Sequence, residues 1–210
     1  MKYNRSLKPE HNISAEIGTK FLAFNGRMRT ELAFYRIWLR DEIIQFSGWE
    51  IPAHYENAGK SNRKGVELAS AIQLTNRLLV RLNYTFADFR FKEYKPYFYE
   101  GYRLPGVPRH MGGVALEYLN PNALSFTIGS QKVGSIFTEN NNEVKTKPYN
   151  NLYFRAEYQI TQAKIGSSLF LGINNLLNKK YAANIRINSG DNAYEPAPAR
   201  NFYTGFKFKF

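Results

Sequence analysis

The sequence predicts an all-β fold, an antiparallel up-and-down meander of about nine strands. Polar and apolar residues alternate with period two in one segment after another. No segment keeps a helical period over three turns, and short and long connections follow each other along the chain.

The strands are expected at about 11–23, 28–46, 54–74, 78–94, 109–119, 123–137, 146–160, 165–187 and 197–210. The first two meet at Asn25-Gly26, a hairpin-turn pair. The third ends in VELASAIQL, whose alternation runs into Thr75-Asn76. The fourth, LLVRLNYTFADF, sets Leu78, Val80, Leu82, Tyr84 and Phe86 against Arg81, Asn83 and Thr85. Pro121-Asn122 joins the fifth to the sixth. In the seventh, NLYFRAEYQI, Leu152, Phe154, Ala156, Tyr158 and Ile160 alternate with Asn151, Tyr153, Arg155, Glu157 and Gln159. Thr161-Gln162 leads to the eighth, within which NNLLNKKY suits a short turn. The ninth, NFYTGFKFKF, puts Phe202, Thr204, Phe206, Phe208 and Phe210 on one side and Asn201, Tyr203, Gly205, Lys207 and Lys209 on the other.

Between the short turns lie FSGWEIPAH, KPYFYEGYRLPGVP, TENNNEVK and INSGDNAYEPAP. In a meander this gathers the short turns at one end and the long loops at the other, as in outer-membrane barrels with short periplasmic turns and long extracellular loops. Several predicted strands exceed the length of about 9 to 11 residues that crosses a bilayer, so they are expected to project beyond it on the loop side. No window approaches the run of about 20 apolar residues of a membrane helix. A barrel escapes that test, because its alternation cancels in a window average.

The chain has 210 residues, no cysteine, 16% aromatic residues, and 29 Lys+Arg against 17 Asp+Glu, a net charge of +12. Lacking cysteine, it has no disulfide framework, thiolate metal site or cysteine nucleophile, which suits an envelope compartment. The excess of base favours an anionic partner. The basic residues are dispersed and no nucleic-acid reader motif accompanies them, so nucleic acid is not expected. His11, His54 and His110 fall on three strands without HExxH spacing, and neither a G-x-S-x-G elbow nor a phosphate-binding glycine loop occurs. Neither catalysis nor a cofactor is expected.

Five segments carry a resemblance. They are Leu7-Lys8-Pro9-Glu10, Asn57-Ala58-Gly59-Lys60 followed by Gly65-Val66-Glu67, and Leu104-Pro105-Gly106-Val107-Pro108-Arg109-His110, then Asn174-Asn175-Leu176-Leu177-Asn178-Lys179-Lys180-Tyr181 and Pro198-Ala199-Arg200. In order and spacing they resemble the C-terminal portion of a TonB-dependent outer-membrane receptor of the ferric siderophore type. Leu177 stands where the family usually has Phe, and Ala199 where it usually has Gly.

The resemblance implies a 22-stranded barrel with an N-terminal plug. Residues 1–210 would be its last nine strands, in the outer membrane of a Gram-negative bacterium. The implied partners are outer-membrane lipid and lipopolysaccharide, the plug and the TonB complex of the full receptor, a small-molecule metal chelate, and the barrel assembly machinery. That machinery would read the terminal strand, with Phe206, Phe208 and Phe210. The N-terminus lacks a signal peptide and nine strands do not close a barrel of the usual even-numbered kind, so a fragment that does not insert stably alone is expected.

For ligand capture the candidates are Tyr97, Tyr99, Tyr102 and Arg103 in the second long loop, with Trp49 and His54 in the first. Aromatic rings beside cations suit an aromatic, anionic chelate; a girdle at the headgroup level is the structural alternative. A passive porin, or uptake of cobalamin or glycan, are rival functions. A soluble β-sheet module and an outer-membrane enzyme are more distant ones.

Overall fold

In the computed structural model the described residues are 6–46, 54–121, 123–160, 166–187 and 194–209, with the backbone alone for Phe46, His54 and Lys209. Nine strands form one antiparallel sheet in the order β1-β2-β3-β4-β5-β6-β7-β8-β11. They are β1 (His11–Ala23), β2 (Met28–Phe46), β3 (His54–Gln73), β4 (Leu78–Tyr94), β5 (His110–Tyr118), β6 (Leu124–Val133), β7 (Tyr149–Ile160), β8 (Gly166–Asn174) and β11 (Asn201–Lys209). A separate hairpin joins β9 (Ala182–Ile185) to β10 (Tyr194–Pro196). The expected meander is present; β1 and β11 are its two ends, so the sheet is not closed within this chain.

The cross-strand register sorts every strand into the same two faces. One side carries Ile17, Phe34, Val66 and Phe86 at one level, and Leu82 and Val114, Ile128 and Phe154, and Leu171 beside Thr204 further along. The other carries Lys20, Glu31, Glu67, Arg81, Glu117, Arg155, Glu157 and Lys207. Little of the apolar face is covered by protein: Ile17 is 74% exposed and Phe202 71%. Among the described residues the buried apolar side chains are mostly alanines, too small a set for a core. Hydrocarbon is the solvent that such a face requires. One polar pair within it, Thr30 and Ser70, is satisfied internally, its hydroxyls 2.9 Å apart.

On the polar face, aromatic rings cover glycines directly opposite in register: Tyr35 over Gly65, Tyr153 over Gly129, Tyr203 over Gly172 and Phe170 over Gly205. A side chain on any of these glycines would collide with the ring, which explains the glycine of the KGVE segment.

The eighth strand is shorter than expected from the sequence. β8 stops at Asn174, because Asn175 and Asn178 take left-handed backbone conformations (φ 50° and 52°) that extended chain does not continue through. The sixth and seventh strands also yield early, at Val133 and Tyr149. Beyond them Phe137 and Lys145 form an isolated bridge, so that loop is a hairpin continuing the sheet.

The segments that carry the family resemblance prove to be backbone locks. Asn57 Oδ1 accepts from the Lys8 N–H at 2.7 Å, and its Nδ2 donates to the carbonyls of Lys8 (2.8 Å) and Asp41 (2.7 Å). Glu10 accepts the Ile43 N–H at 2.7 Å, where β2 bulges around Asp41. Near the other end, Asn178 Oδ1 accepts from the Arg200 N–H at 2.9 Å.

Candidate ligand-facing mouth of the sheet

At the long-loop end the polar face is capped by aromatic rings. Phe91, on the polar-face register of β4, is 6% exposed and meets the edge of Tyr94 at 5.0 Å. Tyr94 lies 5.4 Å from Tyr99, which stacks on Tyr97 at 5.5 Å and on Tyr102 at 6.0 Å. Tyr97 and Tyr102 are exposed at the two ends of the stack.

The segment is held like a strand. The Phe91 N–H donates to the Tyr102 carbonyl, and the Leu104 N–H to that of Phe89, both at 2.9 Å. Asn142, from the hairpin after β6, clips it from outside: its Oδ1 accepts the Arg103 N–H at 2.7 Å and its Nδ2 donates to the Arg103 carbonyl at 2.8 Å. The Gly106 N–H donates to the Phe137 carbonyl at 2.9 Å. Two long loops thus form one platform.

Burial, followed by the neighbouring Tyr97, Glu139 and Glu143, pushes Tyr99 above the ordinary phenol range. Its hydroxyl is a neutral donor at neutral pH. Glu93, at the foot of the loop, binds Lys60 Nζ through one oxygen and Lys95 Nζ through the other, the latter at 2.8 Å. These two ammonium groups pull its carboxyl from the ordinary 4.5 down to about 2. Because the folded value is depressed, the contribution of this pair of bridges is complete above pH 4.5 and fades as pH falls through about 2. A carbon-detected titration of Glu93 is expected to show that low midpoint, and Lys60→Gln to raise it towards 4.5; an unshifted midpoint in the parent chain would exclude the bridges.

The predicted candidates separate. Tyr97, Tyr99 and Tyr102 come together, with Phe91 and Tyr94 beneath them. Arg103 leaves the group: it bridges in register to Arg90 on the apolar-face side, with its Nε 3.9 Å from Asp88. His54 opens β3 opposite Phe46, while Trp49 and Phe210 lie outside the described residues. Phe206 and Phe208 stand on the apolar face of β11, their rings 6.5 Å apart. Sequence reasoning placed Tyr94 at the start of this loop but missed Phe91, although Phe89 and Phe91 continue the period of β4 on its polar side and so signalled a change of environment there.

Elsewhere on the polar face charges pair across strands. Glu157 takes Lys207 Nζ at 3.0 Å on both oxygens, the Ser168 hydroxyl at 2.8 Å and Arg155 at 3.4 Å. Glu42 accepts from Arg63 at 2.6 Å and from the Ser61 hydroxyl at 2.9 Å. This side is built for a hydrated or protein-filled interior.

A sheet with one hydrocarbon-seeking face, one charged face and its loops sorted by length is the wall of a transmembrane β-barrel. The chain belongs to the TonB dependent receptor-like β-barrel family, whose profile matches residues 2–176. This is a family of Gram-negative outer-membrane barrels, and the outer membrane is the location of the sheet.

The ferrioxamine B receptor of Salmonella typhimurium is 27% identical over 183 residues, covering 84% of this chain and 25% of that protein. The catecholate siderophore receptor Fiu of Escherichia coli is 25% identical over 198 residues, covering 93% of this chain and 25% of Fiu. Among solved structures, the siderophore receptor PiuA from Acinetobacter baumannii superimposes with a TM-score of 0.77 at 22% identity, over 95% of this chain and 28% of PiuA. The chain thus spans about a quarter of the length of these two curated relatives.

Proposed function

We propose that residues 1–210 are the C-terminal wall of a TonB-dependent receptor that takes up iron–siderophore-type complexes. The sheet offers a free backbone edge at β1 and another at β11, which suits completion by further strands into a 22-stranded barrel. The two curated relatives described above are both named for siderophores.

The observation that carries the reading is the tyrosine stack at the mouth of the charged face. It presents flat phenol surfaces to the outside, where a chelate would first meet the protein. Beneath it, Arg81, Asn83, Arg155 and Glu157 face the interior and meet the plug or line the path. The TonB complex supplies the energy by acting on the plug, and the wall performs no covalent step. The C-terminal segment with Phe206, Phe208 and Phe210 in its sequence is the one read during barrel assembly.

Deleting residues 95–107 tests the reading. The receptor is expected to reach the outer membrane and keep its heat resistance while uptake of the ferric chelate under iron limitation is lost. Undiminished uptake would overturn the assignment of the mouth, and unrestricted entry of small solutes into the undeleted receptor would favour a passive pore.

A further inference from the structure

The hairpin of β9 and β10 stands apart from the nine-stranded sheet and pairs with none of its strands. At its base the Ala197 N–H donates to the Tyr181 carbonyl at 2.9 Å. Two further seats hold it down. The Tyr181 ring lies on that of Tyr149, at the head of β7, with centroids 4.1 Å apart and planes 16° from parallel. Ile187 fills the space that a side chain on Gly106 would need, its Cδ1 2.6 Å from where a Cβ would stand. Gly106 precedes β5, and β5 is three strands away from β8, about 14 Å across the sheet. The hairpin is therefore a strap along the rim. It lies on the polar-face side, since Tyr149 shares the face of Tyr153 and Arg155.

Between strap and sheet runs a groove of about 460 Å³. Lys145, Lys147 and Tyr149 line it from the sheet, and Lys180, Tyr181 and Tyr194 from the strap. No carboxylate lines it, and among the described residues none of the three lysines forms an ion pair. Glu195, the carboxylate of β10, is engaged by Arg186 at 3.2 Å. Cations on both walls repel across the groove and so oppose the contact that the tyrosine rings make. A compact oxyanion between the walls reverses the sign, because it draws on ammonium groups from both sides at once. Lysine suits phosphate as a mobile point charge, and the groove has room for the water that bridges the remaining distance.

We propose that Lys145, Lys147 and Lys180 bind a free oxyanion of the phosphate type from the external medium, and that its presence holds the strap down across the rim. The site is on the side of the wall away from the membrane and apart from the tyrosine stack. Its effect reaches that stack through contacts already in place. The strap seats Ile187 on Gly106, and the Gly106 N–H donates to the Phe137 carbonyl, so a closed strap steadies the loop that bears Tyr97, Tyr99 and Tyr102. An open strap releases one of the supports of that loop. The anion thus shifts a population between two positions of the strap, by its preference for the closed one.

The test places spin labels on the complete receptor through A183C on the strap and E100C on the loop of the tyrosines, in protein that keeps its heat-resistant form. Inorganic phosphate is expected to narrow the distances between the labels to a single peak, and sodium chloride of equal ionic strength to leave them broad. In K145Q/K147Q the phosphate concentration at half effect rises about tenfold. K8Q/K132Q removes equal charge away from the groove and responds like the unaltered receptor, as does Tyr149→Phe, which keeps the stacked ring. A strap that stays fixed without phosphate, an equal response to chloride, or an equal loss in both double variants overturns the site. Closure by a ferric chelate and not by phosphate overturns the free oxyanion as occupant. The readout is the position of the strap, so a receptor that takes up no ferric chelate tests the inference equally well.

Discussion

Asn175→Ala is expected to be the most damaging single substitution outside the membrane-facing surface, lowering stability by about 4 kcal/mol. Asn175 is 2% exposed. Its Oδ1 accepts the Lys179 N–H at 2.8 Å, and its Nδ2 donates to the carbonyls of Lys179 at 2.9 Å and Pro198 at 3.1 Å. One amide thus closes the turn after β8 and ties it to the segment that enters β11. Alanine leaves three backbone groups without their partner, each costing about 1–3 kcal/mol if water cannot reach it. It also places a side chain with no compensating hydrogen bond at φ 50°.

Asn175→Gly separates the two causes, since glycine accepts that φ without strain but restores no hydrogen bond. The glycine variant is expected to recover about 1 kcal/mol and no more. The measurement is the temperature at which the receptor loses its compact, detergent-resistant form. Full recovery by glycine would show that the hydrogen bonds contribute nothing, and an unchanged midpoint in the alanine variant would remove the lock altogether.

Much of this architecture was legible because barrel strands obey a two-residue period that needs no knowledge of the rest of the protein. NLYFRAEYQI and LLVRLNYTFADF assign their faces by parity, and the register confirms each assignment. The turn after Asn174 was visible in NNLLNKKY, but its effect was underestimated. A left-handed asparagine ends a strand only when its side chain has partners, and one partner, Pro198, is 23 residues away.

The mouth was half legible for a similar reason. Composition grouped Tyr97, Tyr99, Tyr102 and Arg103, since they are neighbours in sequence. Once residues 102–104 pair with β4, consecutive side chains part to opposite faces, and Arg103 departs from the rings. The strap was invisible for a different reason. Tyr149 meets Tyr181 and Gly106 meets Ile187 across long stretches of sequence, and only the fold sets them side by side.

That parting of Tyr102 from Arg103 gives the second large effect. Replacing Tyr97 and Tyr102 together by alanine is expected to raise the Kd for the proposed iron–siderophore-type chelate about tenfold, from two lost stacking contacts of roughly 0.7 kcal/mol each. These two rings are the exposed ends of the stack, 53% and 44% accessible, so their loss removes ligand surface and leaves the support of Phe91 and Tyr94 in place. Tyr99→Phe keeps the ring between them and is expected to bind as the parent does. Tyr99→Ala breaks the contacts to Tyr94, Tyr97 and Tyr102 at once and should weaken binding at least as much as the double variant. Arg103→Gln is the sharpest control. Its side chain reaches towards Asp88 while its backbone stays clipped by Asn142, so chelate affinity should not change. A large loss in Arg103→Gln with none in the tyrosine variants would mean that the cation, and not the aromatic platform, recognises the ligand.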